Sequence, residues 1–571
     1  MKLWKKGMGL MLSALLAGSM LAGCGGKSAD TAGTADTANT GKEVSAVPAE
    51  EEAQAQPEEE GKENVGGLEL PLCEEKQELS VLVVWDNSLL DDPNEIKGIQ
   101  KMEERTNVHI NWITYDQTEM LEMFNLTLST GDFPDILCPG GTNNYPGGYI
   151  QGIDDGVLVD MKDYLQYMPN YTSMLDSSEK ATEQAMYDDG EFHAVRILQG
   201  TDTKIEGAGS AYGMTYRSDI LEKMGEELPE TVDEWHDLLV KCRDNGMAAP
   251  MTLETDGGTA LSLAWGVNTD WSSNYWQYDY STDKVGFGPL QDGFEEWLGT
   301  MAEWYQEGLI DKNFTNGCIP IITGDYSNIE NDQTMLFDCM FGFQNGSFLN
   351  ENGFISNEEC YLQAIDGVVL EAGNEVIKCS DSSCVGNEIF VTTNCKDPEL
   401  AAKWLDYLYS QEGMFLMHYG IEGESYTLDE NKEPVYTDAI LNPSGDLSAN
   451  QELSYYAMKA YMGYNNGEAG DRLSIATSPN GVSAQVESIE IWKSPSKTIN
   501  MPIGISLSTE EDNTINTYLT DIITYCQEYM VKTIIGEDTV SYEEFVKGLD
   551  SYGIQECIDA YQSACDRFYS R

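Results

Sequence analysis

Between Leu79 and Leu137 the chain alternates in a way that few folds accommodate. Leu79 to Trp85 is a continuous β-rich apolar run, the pattern of a buried strand. Asp92-Pro93-Asn94-Glu95 carries the signals of a helix start: Asp as N-cap, Pro at the first helical position, Glu in the first turn. Ile96, Ile99 and Met102 supply that helix with an apolar face. Val108, Ile110 and Trp112 alternate as a second strand. Met120, Leu121, Phe124 and Leu128 mark another helix, closed by Gly131, and Pro134-Asp135-Ile136-Leu137 gives a third short strand. A β-α-β-α-β succession winds into a parallel sheet with right-handed crossovers. Such sheets bind ligands beyond the carboxyl ends of their strands. Trp85-Asp86 and the stretch Cys138 to Tyr145 lie at those ends, so Trp85, Asp86 and Tyr145 are candidate ligand contacts.

The body opened by this sheet runs from near Leu68 to Arg571. About 500 residues exceed one ordinary core, so two lobes are expected. Three more helices are well signed. Thr231-Val232-Asp233-Glu234 is a capping box ahead of Trp235, Leu238 and Leu239. Phe294, Trp297, Met301 and Trp304 recur at helical spacing until Gly308. Asp397-Pro398-Glu399 caps a helix carrying Leu400, Trp404, Leu405 and Leu408. Apolar stripes of this kind are read as core.

Ahead of the body stand two segments. Lys2, Lys5 and Lys6 precede a short apolar stretch, Met8 to Ala17, and then Leu21-Ala22-Gly23-Cys24. This is the order of a secretory signal, and its apolar part is shorter than the roughly 20 residues that span a bilayer. The last four residues resemble a bacterial lipobox. That resemblance implies a signal peptide over 1–23 and a diacylglycerol on the Cys24 thiol. Residues 24–68 read as a disordered, lipid-anchored linker, because bulky apolar residues are almost absent and chain entropy is not offset.

Charge and chemistry remove several classes. The net charge is -66. That field repels nucleic acid and anionic membrane surfaces, and it favours a neutral ligand. Of the 13 cysteines, those beyond Cys24 show no C-x-x-C and no zinc spacing, so both disulfides and buried free thiols remain open. The four histidines, His109, His193, His236 and His418, form no metal pair at helical spacing. No G-x-S-x-G elbow, Walker loop or G-x-G-x-x-G occurs. Asp429 to Glu433 begins like a calcium loop, lacks its glycine and closing glutamate, and reads as a hairpin turn. No catalytic residue, metal ligand or cofactor site is assigned.

Ordered along the chain are several pieces that together resemble a known family. They are Gly131-Asp132-Phe133-Pro134-Asp135-Ile136, then Tyr212-Gly213-Met214-Thr215-Tyr216-Arg217-Ser218-Asp219 with Leu228-Pro229-Glu230-Thr231. Glu307-Gly308-Leu309-Ile310-Asp311 and Lys396-Asp397-Pro398-Glu399 through Gly420-Ile421-Glu422-Gly423 follow. In order and spacing the chain resembles extracellular solute-binding proteins of family 1, which serve carbohydrate ABC importers, and within them the large lipoprotein subgroup of Firmicutes. The likeness spans about 79–571. It implies a two-lobed α/β fold of periplasmic-binding-protein type with a ligand cleft between the lobes. The first lobe would hold 69–200 and a return segment near 361–395. The second would hold 201–360, continued by 396–571. It also implies a monomeric receptor that is not an enzyme, closes on a carbohydrate by hinge motion and docks on a membrane permease.

Sugar rings pack their C–H faces on aromatic rings while their hydroxyls need polar partners. Trp265, Trp271, Tyr275 and Trp276 fall in an aromatic-rich stretch with polar neighbours and poor helical periodicity, and are candidate contacts. So are Trp492, Arg217, Glu424 and Tyr426, the last two following the family-like Gly-Ile-Glu-Gly turn. An aromatic-rich loop covering the second core, and an inter-helix salt bridge for Arg217, are the competing readings. A cell-surface glycan-active enzyme and a peptide-binding lipoprotein of the same fold remain as alternative functions.

Overall fold

The computed structural model describes residues 63–571 apart from 86–88, 117–118, 140–144, 208–212, 317–326, 340–359, 380–382, 446, 459–461, 478–487, 489 and 493–496. Cys24, Asp86 and the signal segment therefore lie outside the described residues.

In chain order the strands are β1 (Glu63–Val65), β2 (Leu68–Leu70), β3 (Gln77–Val84), β4 (Val108–Tyr115), β5 (Ile136–Cys138), β6 (Val195–Gly200), β7 (Gly213–Arg217), β8 (Trp276–Asp279) and β9 (Lys284–Phe287). They continue as β10 (Leu336–Cys339), β11 (Leu362–Ala364), β12 (Ile377–Lys378), β13 (Val385–Val391), β14 (Tyr426–Leu428), β15 (Pro434–Tyr436), β16 (Tyr464–Asn466) and β17 (Lys497–Thr498).

The first sheet has the order β16-β6-β13-β5-β3-β4. β3 pairs in parallel with β4 from Gln77↔Val108 to Val84↔Tyr115, and with β5 at Val81↔Ile136. Helices Lys97–Thr106 and Met120–Thr130 make the two crossovers. β13 runs antiparallel to both β5 and β6, whereas β16 is parallel to β6. Val81 and Val83 are completely buried, as befits a strand covered on both faces.

The helix start at Asp92 is more constrained than its sequence indicates. Asp92 does cap, accepting from Asn94 N–H at 2.9 Å, but Pro93–Glu95 forms a 3-10 turn and Ile96 is extended. The α-helix begins one residue later, because the N–H groups of Lys97 and Gly98 donate to the carbonyls of Tyr455 and Tyr456 at 3.0 Å. The diversion is a tertiary hydrogen-bonding event that local propensity does not report.

The second sheet is β10-β7-β11, with both outer strands antiparallel to β7. Its core collects Trp235, Trp297, Trp304 and the helices Thr509–Ile535, Tyr542–Ser551 and Ile554–Phe568. The Thr231/Glu234 capping box is present, and so are boxes at Ser508/Glu511 and Ser541/Glu544. Trp404 is core as well, edge-on to Trp112 at 6.2 Å. β14 and β15 form the hairpin turned by Asp429 to Glu433.

Three boundaries differ from the sequence reading. The segment read as linker to residue 68 contains the β1-β2 hairpin, and Leu68 is buried in the first core. Its turn is Gly66-Gly67, both at positive φ, held by the Asn64 side chain accepting from Gly67 N–H. A hairpin of three-residue strands carries too little apolar periodicity to stand out from a polar tail. Segment 396–464, assigned above to the second lobe, sends Leu400, Trp404, Leu405, Leu408 and Tyr464 into the first core. Conversely Leu362 and Ala364, assigned above to the first lobe, lie on β11 beside β7. An amphipathic stripe states that a face is buried and does not state against which sheet. The ten cysteines whose side chains are described form no disulfide with one another.

Gly98 gives a direct test of the first lobe's packing. A Cβ there would lie 2.4 Å from Leu416 O and 2.6 Å from Tyr456 O, both backbone atoms. Gly98→Ala is expected to lose about 1–3 kcal/mol, read as a lower denaturant midpoint.

Candidate ligand site

The described chain passes between the two cores three times: after β6 toward β7, after β11 toward β13, and after the helix Gly467–Thr477 toward Trp492. β12 and β17 pair in parallel where the second and third passages run side by side. The carboxyl ends of the parallel strands in each sheet are where an α/β receptor places its ligand.

On the first sheet that edge carries Trp85, half-buried, with its N–H donating to Tyr115 O at 3.0 Å. Tyr145 is half-buried and donates to Asp155 at 2.9 Å; burial first, and then this carboxylate, push its phenol up to about 12. Asn466, at the end of β16, donates to Asp202.

On the second sheet the corresponding edge is set by the ends of β10 and β11, beside Gly213 at the start of the antiparallel β7. Trp492 lies against this Gly213: a Cβ there would fall 2.3 Å from the indole nitrogen. Its Nε1–H donates to Ile365 O at 3.1 Å and the residue is buried. Trp492 is thus at the edge, as a packed floor with its donor already used. Trp265 ends the 3-10 helix Ala260–Trp265 and is half-buried; its indole Nε1 is enclosed without a hydrogen-bond partner. Trp271 is 42% exposed, on a turn capped by Asp270.

Four candidates are structural. Arg217 sits at the far end of β7 and is fully buried. Its Nε and Nη2 donate to Asp219 at 2.7 and 2.8 Å, Nη1 donates to Ile329 O at 2.6 Å, and Nη2 also reaches Asp332. Tyr275 is fully buried, its hydroxyl donating to Asp256. Trp276 is packed between Phe287 and Tyr561 at centroid distances of 5.0 and 4.6 Å. Tyr426 is buried against Phe415 and Tyr419. Its neighbour Glu424 is exposed and pairs with Lys97 at 2.5 Å. The aromatic stretch therefore divides: β8 turns Tyr275 and Trp276 inward, and Trp265 and Trp271 stay on its margins.

Sequence inspection did not single out the carboxyls at this second edge. Glu254 follows Met251, which bridges in parallel to Leu336 of β10. Asp338, on β10, accepts from Ala260 N–H at 3.2 Å and so caps the 3-10 helix of Trp265. Burial pushes the Glu254 carboxyl up to about 9, reinforced by Asp338, Asp256 and Asp270. Among 98 acidic residues no local signal marks these four, because it is the sheet that gathers them.

Two α/β lobes with multiple chain crossings make a two-lobed fold of periplasmic-binding-protein type. Residues 92–317 match the family model of bacterial extracellular solute-binding proteins, and over that stretch the chain is similar to that family. It is 22% identical over 528 residues, 88% of this chain and 92% of the other, to the fructooligosaccharide ABC transporter substrate-binding protein FusA of Streptococcus pneumoniae. Lipoprotein LipO of Bacillus subtilis is 19% identical over 388 residues, 64% of this chain and 70% of the other. An HMO-binding, ABC-transporter-associated solute-binding protein from Bifidobacterium longum infantis superposes with a TM-score of 0.67 at 16% identity, covering 86% of this chain and 99% of that one. Among the described residues no helix is long and apolar enough to cross a membrane.

The structural role of Arg217 is testable. Arg217→Ala is expected to cost about 3 kcal/mol, because it takes both guanidinium hydrogen bonds from the partly buried Asp219 carboxylate and leaves the space of a fully buried side chain unfilled. Equilibrium unfolding should register that loss. Solute affinity of the folded fraction should be unchanged; a selective loss of affinity would return Arg217 to the site.

Proposed function

We propose that this protein captures a carbohydrate, an oligosaccharide in particular, in the cleft between its lobes and delivers it to the permease of an ABC importer. The observation that carries this reading is the second edge itself. Trp265 offers a half-buried aromatic face on the 3-10 helix whose first N–H is held by Asp338, and Asp338 bears in turn on the buried Glu254; aromatic and polar groups together suit a ring with apolar C–H faces and polar hydroxyls. FusA and the bifidobacterial protein, named for fructooligosaccharide and HMO, support the same class. Binding would draw the lobes together about the crossing segments, since a ligand touching both stabilises the closed state. We assign the first lobe to about 63–206 and 384–477, and the second to about 213–376 and 488–571. Trp85 and Tyr145 are the contacts proposed on the first lobe, with Asp86 beside them in sequence.

The net charge of -66 favours a neutral sugar. In a thermal-shift screen, neutral oligosaccharides such as nystose should raise the melting temperature in proportion to the logarithm of their concentration. Oligouronates should not. A screen in which only uronates stabilise would overturn the neutral assignment, and one in which no glycan does would overturn the function.

Trp265→Ala should weaken binding roughly thirtyfold, the effect of removing an anchoring aromatic, with a small change in melting temperature. A large loss of stability with full affinity would make Trp265 a core residue.

We also propose that Cys24 carries a lipid that holds the protein on the outer face of the cell membrane. Cys24→Ser should move it from the membrane fraction to the medium. Wild-type protein found free and unmodified in the medium would end this proposal.

A further inference from the structure

Six acidic residues are buried among the described residues: Glu254, Asp256, Asp311, Asp338, Glu388 and Asp406. Five have donors. Asp256 accepts from Gly258 N–H and the Tyr275 hydroxyl. Asp311 accepts from Asn313 N–H and Asn328, and Asp338 from Ala260 N–H. Glu388 takes the Tyr187 hydroxyl and pairs with Arg196 at 3.1 Å, and Asp406 takes Asn170 and Tyr171 N–H. Glu254 is the exception. It is 8% exposed, and its carboxyl accepts from no described residue. Its oxygens are not among the enclosed unpartnered side-chain atoms of the described residues, so the carboxyl keeps a path by which a ligand hydroxyl can reach it.

Its position fits such a contact. Thr252 N–H donates to Leu336 O, and the next turn places Glu254 at the carboxyl edge of the second sheet, near Asp338 and the helix that ends at Trp265. The charged groups among the described residues that bear on it are Asp338 on β10, Asp256 in its own turn and Asp270 ahead of Trp271, all of them acids. The Tyr275 hydroxyl is committed to Asp256.

Resting on the function proposed above, we infer that Glu254 is a specificity-determining contact, which hydrogen-bonds the hydroxyls of the captured oligosaccharide and, with the acids behind it, excludes anionic sugars. A neutral acid donates to one hydroxyl and accepts from another, which matches the dual character of a sugar hydroxyl; an ionised one only accepts. Burial and three neighbouring carboxyls push this group up to about 9, which keeps it protonated at neutral pH. A uronate placed there would meet the carboxyls of Asp338, Asp256 and Asp270.

Calorimetric titration with nystose, or with whichever neutral oligosaccharide gives the largest melting shift, tests the contact in wild type, Glu254→Gln and Glu254→Leu. The amide also donates and accepts, so Glu254→Gln should hold affinity within about threefold, whereas Glu254→Leu should lose roughly thirtyfold. Wild-type affinity should fall as pH rises through about 9, and that of Glu254→Gln should stay level. A second measurement needs no sugar. The folded carboxyl sits above its ordinary value of 4.5, so the folded state holds a proton that the unfolded chain releases. Wild type should lose stability relative to Glu254→Gln as pH rises from 5 to 9. Parallel stability curves, or unchanged binding by Glu254→Leu, would overturn the inference while leaving the function intact. A wild type that binds no neutral oligosaccharide would overturn both.

Discussion

Strand β13 is the element on which the rest of the architecture depends. It stands between β5 and β6, pairing Phe390↔Leu137 on one side and Ile389↔Val195 on the other. Without it β5 and β6 would face each other with unmet backbone donors and acceptors inside a buried sheet. Yet β13 follows β7, β10 and β11 in the chain, so the first lobe closes only with a strand that has already traversed the second. The multiple crossings follow from this placement. They bring the carboxyl edges of both sheets to the ends of the same connecting segments.

Electrostatics act at two ranges. The overall charge of -66 is a long-range field that disfavours anions at approach. At the second edge, burial turns the same residue type to a different use. Carboxyls that meet N–H groups, such as Asp338 over Ala260, fix local structure. Glu254 accepts from no described residue and is the carboxyl that we assign to the ligand. The aromatic stretch divides in the same manner: β8 consumes Tyr275 and Trp276 in the core and leaves Trp265 with an unused donor.

The opening β-α-β-α-β unit, the capping box at Thr231, the tryptophan stripes of the core and the hairpin at Asp429 were all legible in the residues, because each is written in contacts between near neighbours along the chain. The delayed helix start at Lys97 was not legible, since the carbonyls responsible belong to Tyr455 and Tyr456. Nor was the hairpin of Glu63 to Leu70, whose strands are too short to show a period. Of the candidate contacts, Trp85 and Tyr145 stand at the carboxyl edge of the first sheet, and Trp265 is half-buried against the second core. Arg217, Tyr275, Trp276 and Tyr426 are spent on structure.

The sequence by itself determined the two-lobed α/β class and the parallel pairing of β3, β4 and β5, because periodicity and caps are local properties that survive in one dimension. Only the tertiary structure decided which lobe receives the helix of Trp404, which aromatic residues turn inward, and which of many carboxyls goes without a partner. Those outcomes depend on groups far apart in the chain arriving at one place, and on the burial that follows, which changes the energy of a charge or an indole far more than its sequence neighbours do.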